Sequence, residues 1–294
     1  MREDDLRESS NIEDRRGGGG GGGGLGAGGL GIGAVVVLTL LGWAFGIDPS
    51  VLINGAEQVT GNTPGRMTQS APSGPARSGA PSDEGGRFVA RVLGELEDVW
   101  TVQLPQETGR QYERPTLVLF SGVTQSGCGT AQSSMGPFYC PNDRKVYLDT
   151  AFFDDMQRKL GGGGDFAYAY VIAHEVGHHI QNLIGLLPKV QAAERDADKA
   201  TANGLSVRTE LMADCLAGAW AKHMNERHHN IDETDMRQAQ ATATAIGDDR
   251  LSRASGRQAV PDSFTHGSSE QRVRWLETGM RTGTIAGCNT FAAR

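Results

Sequence analysis

The sequence lacks any block of lysine or arginine, and its net charge over 294 residues is −7. A nucleic-acid-binding surface needs concentrated positive charge to neutralise phosphates. Tight adsorption to an anionic lipid surface needs the same kind of charge. The sequence therefore predicts neither a nucleic-acid partner nor electrostatic adsorption to a membrane. Histidine is instead concentrated, mostly between His174 and His229.

The sequence also has few cysteines and no C-x-x-C motif, so it gives no support to a thioredoxin-type or ribbon-type zinc site. In an oxidising compartment, four cysteines predict two disulfides. Cys128 and Cys140 are the natural local pair, and Cys215 would then pair with Cys288. The alternative is that Cys215 is a buried free thiol, because sequence alone does not fix connectivity.

One segment near the N-terminus lacks charge entirely. It follows a charged, glycine-rich tail, residues 1–24, whose first 16 residues are too charged to fold alone and should be solvated. Residues 25–46 are about long enough to cross a bilayer as one transmembrane helix. Arg15 and Arg16 precede them, so the positive-inside rule predicts a cytoplasmic N-terminus and a periplasmic or extracellular remainder. A cleaved signal peptide and a buried soluble helix are the alternatives.

The rest of the chain divides into a linker and one domain. Residues 47–86 lack hydrophobic periodicity and are rich in Gly, Pro, Ser and Thr, which is typical of a flexible, disordered linker. Residues 87–294 are regularly patterned and long enough for one domain. The patterns predict an α+β class, mainly helical with a small sheet. Predicted helices cover residues 87–104, 151–160, 166–186, 206–228 with Ser206 as N-cap, 232–251 and 268–280; predicted strands lie at 115–122 and, as a pair, within 138–149.

The run VIAHEVGHHIQ, residues 171–181, contains the spacing H-E-x-x-H. His174 and His178 are four residues apart, so on a helix they share one face and both imidazoles reach one ion. Glu175 lies beside the first histidine, where its carboxylate can activate a water molecule. The surrounding residues are uncharged, as a helix buried under an active site requires. The motif predicts His174 and His178 as zinc ligands and Glu175 as general base.

A catalytic zinc needs a third protein ligand and keeps its fourth position open. In TELMADCLAG, Glu210 and Asp214 are four residues apart in an otherwise uncharged span. We expect Glu210 to be the third ligand, because a buried carboxylate needs a partner. We expect Asp214 to accept a hydrogen bond from the far nitrogen of a ligating histidine. The alternatives are a solvated acidic face, or ligation by Asp196 or Asp198, whose charged surroundings favour a surface position.

The pattern His174-Glu175-x-x-His178 followed by Glu210-x-x-x-Asp214 resembles that of the gluzincins. The runs AHEVGHHIQ, ELMADCLAG, IGDDRL and FTHGSSEQRVRW resemble the bacterial membrane-anchored "putative neutral zinc metallopeptidase" family over essentially the whole chain. The resemblance implies a zincin or gluzincin-like fold with a sheet edge beside the active-site helix. There FYCP or KVYLD could pair with an extended peptide substrate.

The remaining histidines differ in what they indicate. By resemblance to other membrane-associated gluzincins, His266 is a candidate donor to the oxyanion, although Gly267 departs from the family's usual residue; a surface or capping role is the alternative. His179 is rotated off the ligand face, which indicates either a packing residue or one that supports a ligand. The charged surroundings at the end of a predicted helix indicate solvated side chains for His223, His228 and His229.

These observations predict a membrane-anchored, zinc-dependent endopeptidase that binds one Zn²⁺ per chain and hydrolyses peptide or protein substrates. They predict no oligomeric state. The alternative is a catalytically silent zinc-binding or scaffold protein with a peptidase-like fold, which the presence of Glu175 disfavours. A closed structural site is disfavoured because it would use four ligands where three are apparent.

Overall fold

The computed structural model describes residues 1–3, 5–16, 77–160, 163–254, 256 and 258–292. Its strands are β1 (Ile12–Asp14), β2 (Arg77–Ser78), β3 (Thr116–Phe120), β4 (Val123–Ser126), β5 (Gly129–Gln132), β6 (Phe138–Cys140) and β7 (Lys145–Asp149). Its α-helices are α1 (Glu84–Thr108), α2 (Ala151–Leu160), α3 (Asp165–Leu183), α4 (Leu186–Asp196), α5 (Lys199–His228), α6 (Glu233–Ala245), α7 (Asp248–Ala254) and α8 (Ser269–Thr282). The α+β class, mainly helical with a small sheet, is confirmed.

Five strands form one mixed sheet in the order β2-β1-β3-β7-β6. β3 pairs in parallel with both β1 and β7, whereas β2 and β6 add antiparallel at the two ends. β4 and β5 form a separate antiparallel hairpin. The prediction that KVYLD could pair with a substrate is wrong, because this segment is β7 and is paired on both sides. FYC, in β6, lies at the end of the sheet.

The alternation of side chains along β3 explains how the sheet divides the interior. Leu117 and Leu119 belong to the main core, which they share with apolar residues of α1, α3 and α5. Val118 and Phe120 point the other way, into a small cluster with Ala131 of the β4–β5 hairpin. This period of two places the helices on one face of the sheet and the hairpin on the other.

Residues 1–3 and 5–16 belong to the folded domain, which corrects the expectation of a solvated tail. Ile12 is 2% exposed and Leu6 is 7% exposed, and Ile12 lies in the main core. The strand that contains Ile12 lies between β2 and β3, inside the sheet. The folded region also includes β2 and the first turn of α1, which the sequence assigned to the linker.

Helix α1 provides partners for part of the charge of this N-terminal segment. The Glu97 carboxylate is fully buried and accepts hydrogen bonds from the Arg7 guanidinium at 2.8 Å, the Ser9 hydroxyl at 2.7 Å and the Asn11 amide at 2.6 Å. Gly94 allows this approach, because a Cβ there would lie 2.1 Å from the Arg7 carbonyl oxygen. The composition of the segment does not reveal these partners, because they lie about ninety residues away in the sequence. Composition alone therefore overstated the free-energy cost of folding the segment.

Two of the predicted helices differ most clearly from the structure. α5 begins at Lys199, and its N-cap is Asp198, whose side chain accepts from the Thr201 amide; Ser206 lies inside the helix. The predicted helix 232–251 is divided into α6 and α7 at Gly247. A Cβ at Gly247 would lie 2.4 Å from the Ser269 backbone nitrogen, so the break makes room for the start of α8.

Both expected disulfides are present, linking Cys128 to Cys140 and Cys215 to Cys288. The connectivity is confirmed, and the free-thiol alternative for Cys215 is wrong. The first bond joins the β4–β5 turn to β6, and the second joins α5 to the turn Ala286–Cys288.

The transmembrane helix predicted at residues 25–46 lies outside the described residues, as does most of the predicted linker. No helix within the described ranges combines the length and the apolar composition needed to cross a bilayer.

Candidate metal centre

Helix α3 carries the H-E-x-x-H motif through the middle of the domain, against α1, α5 and α6. His174 and Glu175 are each 7% exposed. The motif's Gly177 brings α5 close, because a Cβ there would lie 3.1 Å from the Ala213 Cα. This near-contact of two backbones places Glu210, three residues before Ala213, opposite the two histidines.

The structure brings the three predicted ligands together. One donor atom from each of His174, His178 and Glu210 lies within 4.8 Å of the other two. Glu210 Oε2 is 3.1 Å from His174 Nε2, and Glu210 Oε1 is 3.5 Å from His178 Nε2. Tetrahedral zinc with bonds of ~2.1 Å holds its donors roughly 3.4 Å apart. The spacing and the chemistry of this donor set therefore fit a zinc ion.

The other nitrogen of His174 is held by Asp214, as expected. His174 Nδ1 lies 2.8 Å from Asp214 Oδ1, so a proton on Nδ1 leaves Nε2 directed at Glu210. Burial alone would lower the pKa of His174, but the Asp214 and Glu210 carboxylates outweigh it and raise that pKa to about 10. Burial alone would raise the pKa of Asp214, but Arg272 and His174 outweigh it and lower that pKa to about 2.

A parallel arrangement orients His178. Its Nδ1 lies 3.0 Å from Gln181 Oε1, and the Gln181 amide donates to the Thr209 carbonyl at 2.7 Å. The acceptor Oε1 fixes a proton on Nδ1, so Nε2 of His178 is also free to face Glu210. Both histidines thus present the same nitrogen to one point.

Glu175, the residue after His174, is largely buried. Burial raises the pKa of its carboxyl above the usual value, although the nearby histidines act in the opposite direction. Among the residues that the structure describes, none donates a hydrogen bond to this carboxylate. It is therefore free to bind water or a substrate amine.

His266 approaches the same region from the loop before α8. Asp248 holds this loop: its Oδ2 accepts from the backbone amides of Thr265, His266 and Gly267 at 2.8, 2.6 and 3.0 Å. The imidazole Nδ1 lies 3.3 Å from Asp248 Oδ1. Burial alone would raise the pKa of Glu210, but His178, His174 and, more weakly, His266 lower it. The side chain of His266 is 40% exposed and therefore faces solvent in part.

The other histidines lie away from the three predicted ligands. His179 is fully buried between Tyr139, whose hydroxyl is 3.0 Å from Nδ1, and the Glu113 carbonyl, 2.6 Å from Nε2, so the packing role is confirmed. His229 is exposed as predicted. The expectation of solvation is wrong for His228, which is half-buried with Nε2 3.1 Å from the buried Glu95 carboxylate.

His223 is half-buried too, with its Nε2 2.8 Å from the Gly283 carbonyl oxygen. Its predicted solvation is therefore only partly right. Asp196 and Asp198 are exposed, and the cluster that could hold a metal ion among the described residues contains Glu210 instead.

Sequence reasoning missed four residues that support the site. Tyr170 and Gln181 had a usable signal, since they lie four residues before His174 and three after His178 on the same helix. Arg272 had none, because it lies among the charged residues of EQRVRWLE. Asp248 lies in IGDDRL, a run noted only for its resemblance.

Comparison with known proteins gives a consistent result. A family model described as "Putative neutral zinc metallopeptidase" matches residues 1–291. An uncharacterised protein of Escherichia coli, YpfJ, is 44% identical over 298 residues, which covers 99% of each chain. An uncharacterised protein of Mycobacterium tuberculosis is 40% identical over 231 residues, or 74% of each chain. No solved structure matches.

Proposed function

Because the chain belongs to the family described as "Putative neutral zinc metallopeptidase", we propose that it is a zinc-dependent endopeptidase. The observation that carries the proposal is the meeting of His174, His178 and Glu210 beside the buried Glu175. Three ligands fit a catalytic site, which keeps one position open, better than a closed structural site.

The chain's own residues supply binding, orientation and proton transfer. His174 and His178 would hold zinc through Nε2, and Glu210 through its carboxylate. When bound, zinc supplies Lewis-acid activation of water and of the scissile carbonyl. Asp214 and Gln181 keep the two imidazoles in the tautomer that leaves Nε2 free.

Glu175 is the proposed general base and acid. Its carboxylate accepts a proton from the attacking water and passes it to the leaving amine. The raised pKa of this carboxyl favours the role, because a group that titrates nearer neutral pH both takes and returns a proton readily.

His266 is the proposed donor to the oxyanion of the tetrahedral intermediate. Its backbone and Nδ1 are held by Asp248, which leaves Nε2 available. The remaining exposure of the ring fits a group that must meet substrate.

The proposed substrate is a peptide or protein in extended conformation. β6 lies at the end of the sheet and beside α3, since the Tyr139 hydroxyl contacts both His179 and Asn182 of that helix. A substrate strand paired with β6 would lie near the proposed metal ligands. It would form backbone hydrogen bonds, which do not depend on the amino-acid sequence of the substrate.

The proposed location of the catalytic domain is the periplasm or the outside of the cell. Two disulfides support this, because such bonds persist in oxidising compartments. Attachment to a membrane through residues 25–46, which the structure does not describe, is part of the same proposal. The first residues would then lie on the same side as the catalytic domain, because Ile12–Asp14 is a strand of its sheet.

The decisive experiment combines metal analysis with proteolysis. We expect the purified protein to hold one zinc per chain and to cleave a denatured protein, with activity removed by a chelator and restored by zinc. Glu175→Gln should keep the zinc and lose roughly 10²- to 10⁴-fold in rate, the usual contribution of a general base. Glu233→Gln is the matched control, because its side chain is 88% exposed on α6.

The outcomes separate the candidate functions. Zinc binding without Glu175-dependent cleavage would leave the silent zinc-binding protein as the better description. Absence of zinc from the folded protein would reject the peptidase.

A further inference from the structure

We propose that Arg272 is a positioning residue of the metal centre: it fixes the Asp214 carboxylate so that His174 presents Nε2 to the metal. The inference rests on the proposed function, since it assigns Arg272 a role in zinc binding. Arg272 comes from α8, which contributes none of the three proposed ligands.

Arg272 holds Asp214 at two points. Its Nε donates to Oδ2 at 2.9 Å and its Nη2 donates to Oδ1 at 2.8 Å. Such a bidentate contact fixes the plane of the carboxylate as well as its position. Asp214 Oδ1 is therefore directed at His174 Nδ1, 2.8 Å away.

A second donor acts on the same oxygen. The Tyr170 hydroxyl donates to Asp214 Oδ1 at 2.6 Å. Arg272 Nη2 also lies 3.5 Å from both the Tyr170 oxygen and His174 Nδ1. The Arg272 guanidinium thus contacts the His174 imidazole directly, in addition to balancing the charge of Asp214.

Burial makes the contact with Asp214 strong. Asp214 is 0% exposed and Arg272 is 3% exposed. A carboxylate removed from water needs a compensating positive charge and hydrogen-bond donors, and Arg272 supplies both. Without it, the only donors to Asp214 among the described residues are Tyr170 and His174.

The packing of α8 on α5 sets the position of Arg272. A Cβ at Gly279 would lie 1.8 Å from the Cys215 carbonyl oxygen, and one at Gly218 would lie 2.1 Å from the Leu276 carbonyl oxygen. These two glycines let the helices touch along their backbones. The guanidinium of Arg272 therefore reaches Asp214 without solvent between them.

A purely structural ion pair between α8 and α5 is the competing explanation. It predicts that loss of Arg272 lowers stability and leaves the zinc affinity of the folded protein unchanged. A positioning role predicts weaker zinc binding and an altered ligand geometry. The test therefore measures the metal site directly, without relying on activity.

The experiment compares Arg272→Gln and Arg272→Lys with the control Arg274→Gln, an exposed arginine on the same helix. Zinc affinity is measured by competition with a chromophoric chelator, and ligand geometry by the visible spectrum of the Co²⁺-substituted protein. We expect Arg272→Gln to weaken zinc binding ~10- to 100-fold and to change the spectrum. Arg272→Lys should recover part of the affinity, since lysine restores the charge but not the two-point contact. Arg274→Gln should match the wild type.

Tyr170→Phe is the second variant, and it keeps the inference testable if Arg272→Gln does not fold. It removes one neutral donor from Asp214 and should weaken zinc binding roughly 2- to 12-fold. A folded Arg272→Gln with zinc affinity within twofold of wild type would overturn the inference. So would wild-type affinity in both Arg272→Lys and Tyr170→Phe if Arg272→Gln is unfolded. A wild-type protein that binds no zinc would instead reject the proposed function.

Discussion

Replacing Ile12 by alanine tests whether the first sixteen residues belong to the folded domain. Ile12 is 2% exposed and packs in the main core, in the strand between β2 and β3. Truncating a buried isoleucine removes apolar contacts and leaves a cavity, which costs about 3 kcal/mol. For a domain of this size, that loss lowers the melting temperature by roughly 6–12 °C.

The assay is urea unfolding followed by tryptophan fluorescence, with Trp100 of α1 as a buried probe. Val102→Ala is the control, because Val102 lies on α1 and is 47% exposed; its effect should stay within about 0.5 kcal/mol. If Ile12→Ala destabilises the protein no more than Val102→Ala does, β1 is not part of the folded unit and the solvated tail expected from composition is the better description.

Two further predictions concern acid stability and the C-terminal disulfide. Burial lowers the pKa of His179 to about 4. Between pH ~6.5 and ~4 the unfolded chain therefore binds a proton at this residue, whereas the folded protein does not bind one. The free energy of unfolding should fall by about 3 kcal/mol as the pH drops through that window. His179→Gln should flatten this dependence in urea titrations at pH 7 and pH 4.5, and an unchanged slope would assign the acid sensitivity to other groups. Replacing Cys215 and Cys288 together by serine opens a loop with a sequence separation of 73 and should cost about 4 kcal/mol. A melting temperature equal to that of the wild type would show that the C-terminal turn is held without the bond.

The parts of the site that were predictable from sequence are those encoded by helical spacing. His174, Glu175 and His178 lie within one helix, so their relative positions follow from a repeat of 3.6 residues. Glu210 and Asp214 were found because two acids in an apolar helix need partners. In each case the signal lay within a few residues of the group that it identified.

The parts that were missed depend on contacts between distant segments. Arg272 looks like a surface residue in its own run, and only the packing of α8 on α5 buries it. Ile12 is flanked by polar residues, and its partner Leu117 is more than a hundred residues away. Such pairings are set by the tertiary structure, which local composition does not record.

The position of β1 in the sheet also constrains the protein's topology in a membrane. Asp14 pairs with Arg77, so residue 16 and residue 77 leave the domain next to each other. A single bilayer crossing between them would put β1 and β3 on opposite sides, and one chain could not then form this sheet. A cytoplasmic N-terminus combined with an external catalytic domain is therefore incompatible with this sheet. In the folded chain, the first residue and the metal centre therefore lie on the same side of any membrane.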